Sequence, residues 1–388
     1  MTEQTTQQTA AVRAALETDT QYGAVVPPIH LTSTFAFSGY GQKGTYDYSR
    51  SGNPTRDALA GALATLEGGA GAVVTSSGMA AVSLVTQLFR PEQLAVVPHD
   101  CYGGTYRLFN ALRERGALEV RFVDFQQAAE LEAALAAGPA LLWIETPSNP
   151  LLRIVDIARV AAAGRAAGAL VVADNTFLSP VWQQPIALGA DAVVHSTTKY
   201  LNGHSDVVGG AVVAARADLH ERLAWWANCV GSTGAPFDSY LTLRGLRTLH
   251  ARMRCHGENT AQVVDLLASH PAVACVHYPG LRDHPGHAIA QSQQQGFGAM
   301  VSFELKGSLA QVRAFLDALQ LFTLAESLGG VESLVAHPAS MTHAAMDEAA
   351  RSRAGIADTL VRLSVGIEDG GDLVRDLARA LAVAREAR

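Results

Sequence analysis

The residue most able to do covalent chemistry is Lys199, in the stretch "STTKYLNGHSDVVGG" from Ser196 to Gly210. The chain has three lysines, Lys43, Lys199 and Lys306, and arginine carries nearly all the remaining positive charge. A guanidinium stays protonated, whereas an amine can lose its proton and attack a carbonyl. Lys43 sits in a Gly-rich segment and Lys306 in an "LKGS" turn, so Lys199 is the candidate nucleophile. Four other features accompany it. "TSSGMAA" places Gly78 and Met79 where a strand turns into a helix, with backbone N–H groups free to hold a phosphate. Ser196 and Thr198, two residues apart, offer hydroxyls to the same anion. Tyr102 precedes Gly103-Gly104, which would let a flat ring approach its face. Asp174 ends the apolar "LVVADNT", and a carboxylate buried there needs a partner, such as the proton of a pyridinium nitrogen.

Each of these has a plainer reading: a helix cap at Gly78 or Asp174, a packed tyrosine at a turn, a surface lysine at a helix start. Together they describe pyridoxal 5'-phosphate (PLP): a phosphate cradle, a stacking ring, a pyridinium partner and a Schiff-base lysine. Neither G-x-x-x-x-G-K-[ST] nor G-x-G-x-x-G is present, which disfavours ATP and dinucleotides.

The elements that would position these residues follow from an alternation. Short β-branched runs ("GAVVTSS", "QLAVVPHD", "LEVRFVD", "ALLWIETP", "LVVADNT", "DAVVHST", "GGAVVAA") alternate with Ala/Leu/Arg-rich helical stretches. Such runs are buried on both faces, and the alternation predicts an α/β fold with a mostly parallel sheet covered by helices. Ligands of open parallel sheets bind beyond the carboxyl ends of the strands, which is where Gly78, Tyr102, Asn149, Asp174 and Lys199 fall. Three segments are expected: an N-terminal arm over 1–63, a PLP-binding domain over 64–256 and a smaller α+β domain over 257–388. The arm, with "VVPPIH" and "FSGYGQKGTYDYSRSGNPTRD", is rich in turn formers and reads as a strap lying on a neighbouring subunit.

Composition limits the alternatives. The 388 residues are 48% hydrophobic and 17% charged, with a formal net charge of −7. No basic run supports nucleic-acid binding, no apolar run approaches a membrane span, and the polar N-terminus lacks a signal pattern. A cytoplasmic protein is expected. Cys101, Cys229, Cys255 and Cys275 have no zinc-ligand spacing, so free thiols and no metal are expected.

Eight stretches resemble the Cys/Met-metabolism PLP-dependent enzymes: "YSRSGNPTRDALAGALATLEGG", "TSSGMAA", "DCYGGTYRLF", "ETPSNPLL", "VVADNTFLSP", "HSTTKYLNGHSDVVGG", "FTLAESLGGVESLVAHPASMTH" and "VRLSVGIED". The resemblance runs from about Gln21 to the C-terminus. It implies the fold-type I transferase fold and assigns roles at matching positions. Lys199 would be the Schiff-base lysine, Asp174 the pyridinium partner and Tyr102 the stacking ring, with a part in proton transfer. Gly78, Met79, Ser196 and Thr198 would hold the phosphate, and Tyr48 and Arg50 would reach the phosphate of a neighbouring subunit's cofactor. Asn149 and Arg362 would clamp the substrate α-carboxylate, and the backbone around Ser327 would help position Lys199. Such enzymes are homotetramers, dimers of dimers with shared active sites.

Within the family, members that act on methionine carry a cysteine where this chain has Gly104, and β-eliminating members carry an aromatic residue where it has Glu326. The resemblance therefore implies γ-replacement: O-succinyl-L-homoserine and L-cysteine give cystathionine and succinate. Glu326 would face the distal amino group, and Asp47 and Arg107 would shape the distal pocket. γ-Cleavage of cystathionine is the alternative. From other classes, a non-catalytic PLP-binding protein would not need the Arg362 clamp, and a dehydrogenase would need the missing glycine fingerprint.

Overall fold

A computed structural model describes residues 5–344 and 348–387. In chain order the strands are β1 (Gly71–Thr75), β2 (Leu94–Pro98), β3 (Glu119–Val123), β4 (Leu141–Glu145), β5 (Leu170–Asp174), β6 (Ala192–His195), β7 (Gly210–Ala214), β8 (Val273–His277), β9 (Met300–Leu305), β10 (Thr323–Leu324), β11 (Leu334–Ala336) and β12 (Leu360–Ser364). Each of the seven apolar runs singled out above is one of the first seven strands. Six form strands because Val, Ile and Ala fill a surface packed on both sides; β3 departs from the expected two-sided burial, with Glu119 and Arg121 exposed and Val120 and Val123 buried, as suits the edge of the sheet.

The chain divides into two compact units, each discontinuous in sequence. The first comprises residues 1–90 and 172–250, the second 91–171 and 251–388. In the first unit the strands run β1-β7-β6-β5. β5 and β6 are parallel, with Asp174 opposite Val194, while β7 is antiparallel to both β6 and β1. The sheet is therefore mixed, with β7 as its reversed member. In the second unit β2 pairs in parallel with both β3 and β4. A separate five-stranded sheet, ordered β10-β11-β12-β9-β8, occupies the C-terminal part. Its core includes Phe303, Phe315, Val361 and Leu377, all fully buried; each such side chain contributes roughly 1.5–3 kcal/mol by leaving water.

The arm is not irregular throughout. Residues Pro54–Glu67 form a helix with buried Leu59, Leu63 and Leu66. Asn53 caps it by accepting hydrogen bonds from the Thr55 and Arg56 amides, proline occupies its first position, and Gly68 ends it at φ 72°. Those are ordinary start and stop signals, and the turn formers upstream masked them. Earlier arm residues leave large side chains exposed: the rings of Tyr22, Phe37 and Tyr40 and the Leu31 side chain all face outward. Among the described residues no helix is long and apolar enough to cross a membrane.

Candidate active site

The first unit carries the lysine cluster at the ends of β1, β5 and β6. Ser77 caps the helix Gly78–Thr86 by accepting from the Ala80 amide at 3.0 Å. A Cβ added at Gly78 would lie 2.7 Å from the Ser196 Cβ and 3.0 Å from its Oγ. One added at Gly210 would lie 2.1 Å from the Ser77 carbonyl oxygen. Glycine at Gly78 lets the helix start approach Ser196, just past the end of β6, and glycine at Gly210 lets the start of β7 approach the backbone of Ser77, so the helix start and the Ser196 hydroxyl lie side by side. Met79 is half-buried on the first turn of that helix. Thr198 is tied to the main chain: its Oγ1 donates to the Gly209 carbonyl at 3.2 Å and accepts from the Gly209 amide at 3.0 Å.

Asp174 and Ser196 are linked through Thr176. The Thr176 amide donates to Asp174 Oδ1 at 3.0 Å, and the Ser196 amide donates to Thr176 Oγ1 at 2.9 Å. Burial pushes the Asp174 carboxyl above its usual range, opposed by its hydrogen bonds from Thr176 and by the charge of His195. Lys199 is half-buried on the turn that follows, its amide 3.3 Å from the Ser196 carbonyl and its carbonyl accepting from Gly203 at 2.8 Å. These residues fit PLP. The glycine-led helix start suits a phosphate, and the desolvated acid would be stabilised as an anion by a protonated ring nitrogen.

The arm positions are also in this unit. Asp47 accepts from the Tyr48 amide at 2.7 Å and the Ser51 hydroxyl at 2.8 Å, which holds its carboxyl below the usual range. Tyr48 is about half exposed, with the Arg50 guanidinium 5.7 Å from its ring centroid. Arg50 also donates to the Asn228 carbonyl at 3.0 Å.

The second unit carries the clamp. Arg362, on β12, is buried, and its Nη1 donates to Asn149 Oδ1 at 2.9 Å. Its Nη2 donates to the Ser327 carbonyl at 3.0 Å. Ser327 has φ 94°, a conformation that costs of order 1–3 kcal/mol for a residue with a Cβ and persists where surroundings enforce it. The arginine anchors that strained carbonyl, and the two contacts hold the guanidinium in one plane, a geometry compatible with bidentate recognition of a carboxylate. Tyr102 starts the helix Gly103–Glu114; its amide donates to both Glu145 carboxylate oxygens, at 3.1 and 2.9 Å, and its ring is 44% exposed. Arg107 lies exposed on that helix, and Glu326 is exposed beside Ser327. The structure thus joins Gly78, Asp174 and Ser196 in the first unit, and Asn149, Ser327 and Arg362 in the second. Tyr102, Arg107 and Glu326 are placed singly.

Sequence reasoning assigned no role to Thr176 or His343. His343 is buried, with its Nε2 3.0 Å from the Asn149 carbonyl and its Nδ1 2.8 Å from the Thr342 hydroxyl. Burial, then the Arg362 charge, pushes its pKa down to about 4. It is a neutral buttress behind the clamp. Its signal was the "SMTH" run, which in isolation has no chemical meaning.

This fold and site define a PLP-dependent enzyme of fold type I. The family model for Cys/Met metabolism PLP-dependent enzymes matches residues 8–382, and the chain belongs to that family. It is 57% identical over 381 residues to cystathionine gamma-synthase of Escherichia coli K12, spanning 98% of this chain and 99% of that one. It is 46% identical over 373 residues to cystathionine gamma-lyase of Bacillus subtilis 168, spanning 96% and 98%. Among solved structures, cystathionine gamma synthase of Xanthomonas oryzae pv. oryzae, in complex with aminoacrylate and cysteine, superposes with a TM-score of 0.98 at 60% identity, covering 98% of this chain and 99% of that one. The chain is an enzyme of sulfur amino-acid metabolism acting on small amino-acid substrates.

Proposed function

We propose that this enzyme is a cystathionine γ-synthase, joining O-succinyl-L-homoserine and L-cysteine into L-cystathionine with release of succinate. The observation that carries the choice is the 57–60% identity, over nearly the whole chain, to two synthases, against 46% to the γ-lyase. Glu326 is consistent with it, as a carboxylate available to a distal ammonium.

The residues divide the work. Arg362 and Asn149 bind the substrate α-carboxylate and fix the orientation of Cα. The bound PLP supplies an electron sink. Lys199 would anchor it, and the free Lys199 Nζ takes the proton from Cα and then one from Cβ. Succinate departs from Cγ with the electron pair of the C–O bond. The cysteine sulfur forms the new bond at Cγ and loses its proton, and protons return to Cβ and Cα. Tyr102 stacks on the ring and assists proton movement. Asp174 would hold the proton on the ring nitrogen, and Gly78, Met79, Ser196 and Thr198 would hold the phosphate. Asp47 and Arg107 line the distal pocket, with Arg107 toward the succinyl carboxylate, and the backbone at Ser327 steadies Lys199.

We further infer dimers with shared sites, paired into a homotetramer. Tyr48 and Arg50 would reach a neighbour's phosphate, and the exposed large side chains of the 1–63 arm would be covered. The cytoplasm is the compartment proposed, in keeping with four free cysteines.

Product analysis decides between the family's reactions. The purified enzyme is given O-succinyl-L-homoserine with and without L-cysteine, and separately L-cystathionine. Cystathionine and succinate formed only with cysteine, with poor cleavage of cystathionine, support the synthase. Ready cleavage to cysteine, 2-oxobutyrate and ammonia, with little replacement product, would make it a γ-lyase.

A further inference from the structure

In the second unit, the helix Gly103–Glu114 starts without a cap of its own. Its N-cap is Tyr102, whose side chain makes no capping hydrogen bond, where Ser, Thr, Asp or Asn is the usual choice. The next two residues are Gly103 and Gly104, both buried, and glycine is a poor helix former. At Gly103 a close approach requires it: a Cβ there would lie 3.0 Å from the Thr342 carbonyl oxygen. By local chemistry this is a weak place to begin a helix.

The missing cap comes from another strand. Glu145 is the last residue of β4, the neighbour of β2, and its side chain is buried. Both its carboxyl oxygens accept from the Tyr102 amide, at 3.1 and 2.9 Å. In a capping box, a Glu at the third helical position reaches back to the N-cap amide. Here that position holds Thr105, whose hydroxyl has no hydrogen-bond partner among the described residues, and a residue 43 positions away takes the part. The contact does not depend on the charge of Glu145, because a carboxyl group accepts hydrogen bonds in either protonation state. The same segment also holds the start of the turn. Asp100 Oδ2 accepts from the Ser148 hydroxyl at 2.8 Å and from Arg153 Nη1 at 3.0 Å. Cys101, between the two contacts, is fully buried. The turn Asp100–Tyr102 is thus fastened at both ends to the chain at and after the end of β4, while the Tyr102 ring is exposed.

We propose that Glu145 is a positioning residue for Tyr102: its carboxyl group fixes the backbone from which the ring is presented to the cofactor. The proposal rests on the reading of Tyr102 as the ring that stacks on PLP. Glu145 touches neither cofactor nor substrate in this role. It acts through the amide, because the backbone of a residue sets the direction of its Cα–Cβ bond and the rotamers open to it. An aromatic residue placed at an N-cap gives up the usual side-chain cap, and a buried acceptor from a neighbouring strand restores the hydrogen bond without occupying the ring.

A double-mutant cycle on the full-length enzyme tests this, with Tyr102→Ala, Glu145→Leu and the two combined. PLP affinity is read by absorbance titration, the geometry of the bound cofactor by its circular dichroism, and turnover by steady-state kinetics. Glu145→Leu is expected to weaken PLP binding and lower kcat about tenfold each, the scale for losing a buried hydrogen-bond partner, with KM little changed. Added to Tyr102→Ala, it is expected to cost no further PLP affinity, since the ring through which it acts is gone. Glu145→Gln, which keeps one accepting oxygen, should recover most of the loss. Replacing the Tyr102 amide by an ester removes the N–H and leaves both side chains in place. It is expected to reproduce the loss, and it decides the question if Glu145→Leu does not fold. A merely structural cap would lower the melting temperature and leave PLP affinity and dichroism as in the wild type. Losses that multiply in the double variant would mean that Glu145 acts by another route. Either result overturns the proposal alone; wild-type PLP binding in Tyr102→Ala overturns the stacking reading and the proposal together.

Discussion

The lysine cluster of the first unit and the arginine clamp of the second solve different physical problems. The cluster, proposed to receive a large dianionic cofactor, is built from main chain. Glycines at Gly78 and Gly210 bring backbones into contact, and a short relay through Thr176 ties Asp174 to Ser196. The clamp, proposed to receive a small carboxylate, is built from one buried cation whose fork is fixed by Asn149 and the Ser327 carbonyl. The first relies on close backbone approach, the second on a side chain with few alternative positions. On the proposed roles, with cofactor held by the cluster and substrate by the clamp, substrate affinity can change without loosening the cofactor.

Substitutions can break that separation. The largest effect is expected for Lys199→Ala. Turnover should drop by at least ~10³-fold, as loss of both a covalent anchor and a proton carrier implies, while cofactor remains bound without the covalent link. Steady-state kinetics and borohydride trapping check both parts; near-wild-type turnover would remove Lys199 from the mechanism.

Next comes Arg362→Lys, which keeps the charge but not the fork. KM should rise about 100-fold, the scale for disrupting a buried, hydrogen-bonded charge, with cofactor affinity unchanged by absorbance titration. If cofactor affinity falls in step with substrate affinity, the two regions do not act separately.

The smallest effect is on stability, at His343. Its pKa is about 4 in the folded chain, against 6.5 as the ordinary value. A folded pKa lowered in this way means the unfolded chain binds the proton more readily. Stability is therefore undiminished above pH 6.5 and declines as pH falls toward 4, by up to about 1.4 kcal/mol per unit from this group. His343→Gln should flatten that decline in melts run from pH 7 to pH 4.5. His256, also lowered to about 4 by burial, leaves part of the slope in place. An unchanged slope would mean that His343 is not held neutral behind the clamp.

The lysine cluster was legible in the sequence because its chemistry lies in short contiguous runs. "TSSGMAA", "VVADNT" and "HSTTK" each end a strand, and a parallel sheet delivers strand ends to one edge. The helix over Pro54–Glu67 was missed, although its Asn-Pro start and Gly stop were present, because the turn formers before it set the expectation for the whole arm. The antiparallel β7 was equally hidden: "GGAVVAA" reads the same in either direction, since burial on both faces dictates composition and not polarity.

What the sequence offers by itself is a candidate chemistry and its broad frame: a lysine able to act as a nucleophile, an acid at a strand end, a glycine turn suited to an anion, and alternating strands and helices. These follow from residue type and short-range periodicity, which act over a few bonds. Only the tertiary structure decided that Asn149, Ser327, His343 and Arg362 meet, that Thr176 joins Asp174 to Ser196, and that Glu67 lies against His195 128 positions away. Those contacts depend on strand order and the packing of distant segments, and no local pattern encodes a hydrogen bond between residues that only the folded core brings within 3 Å.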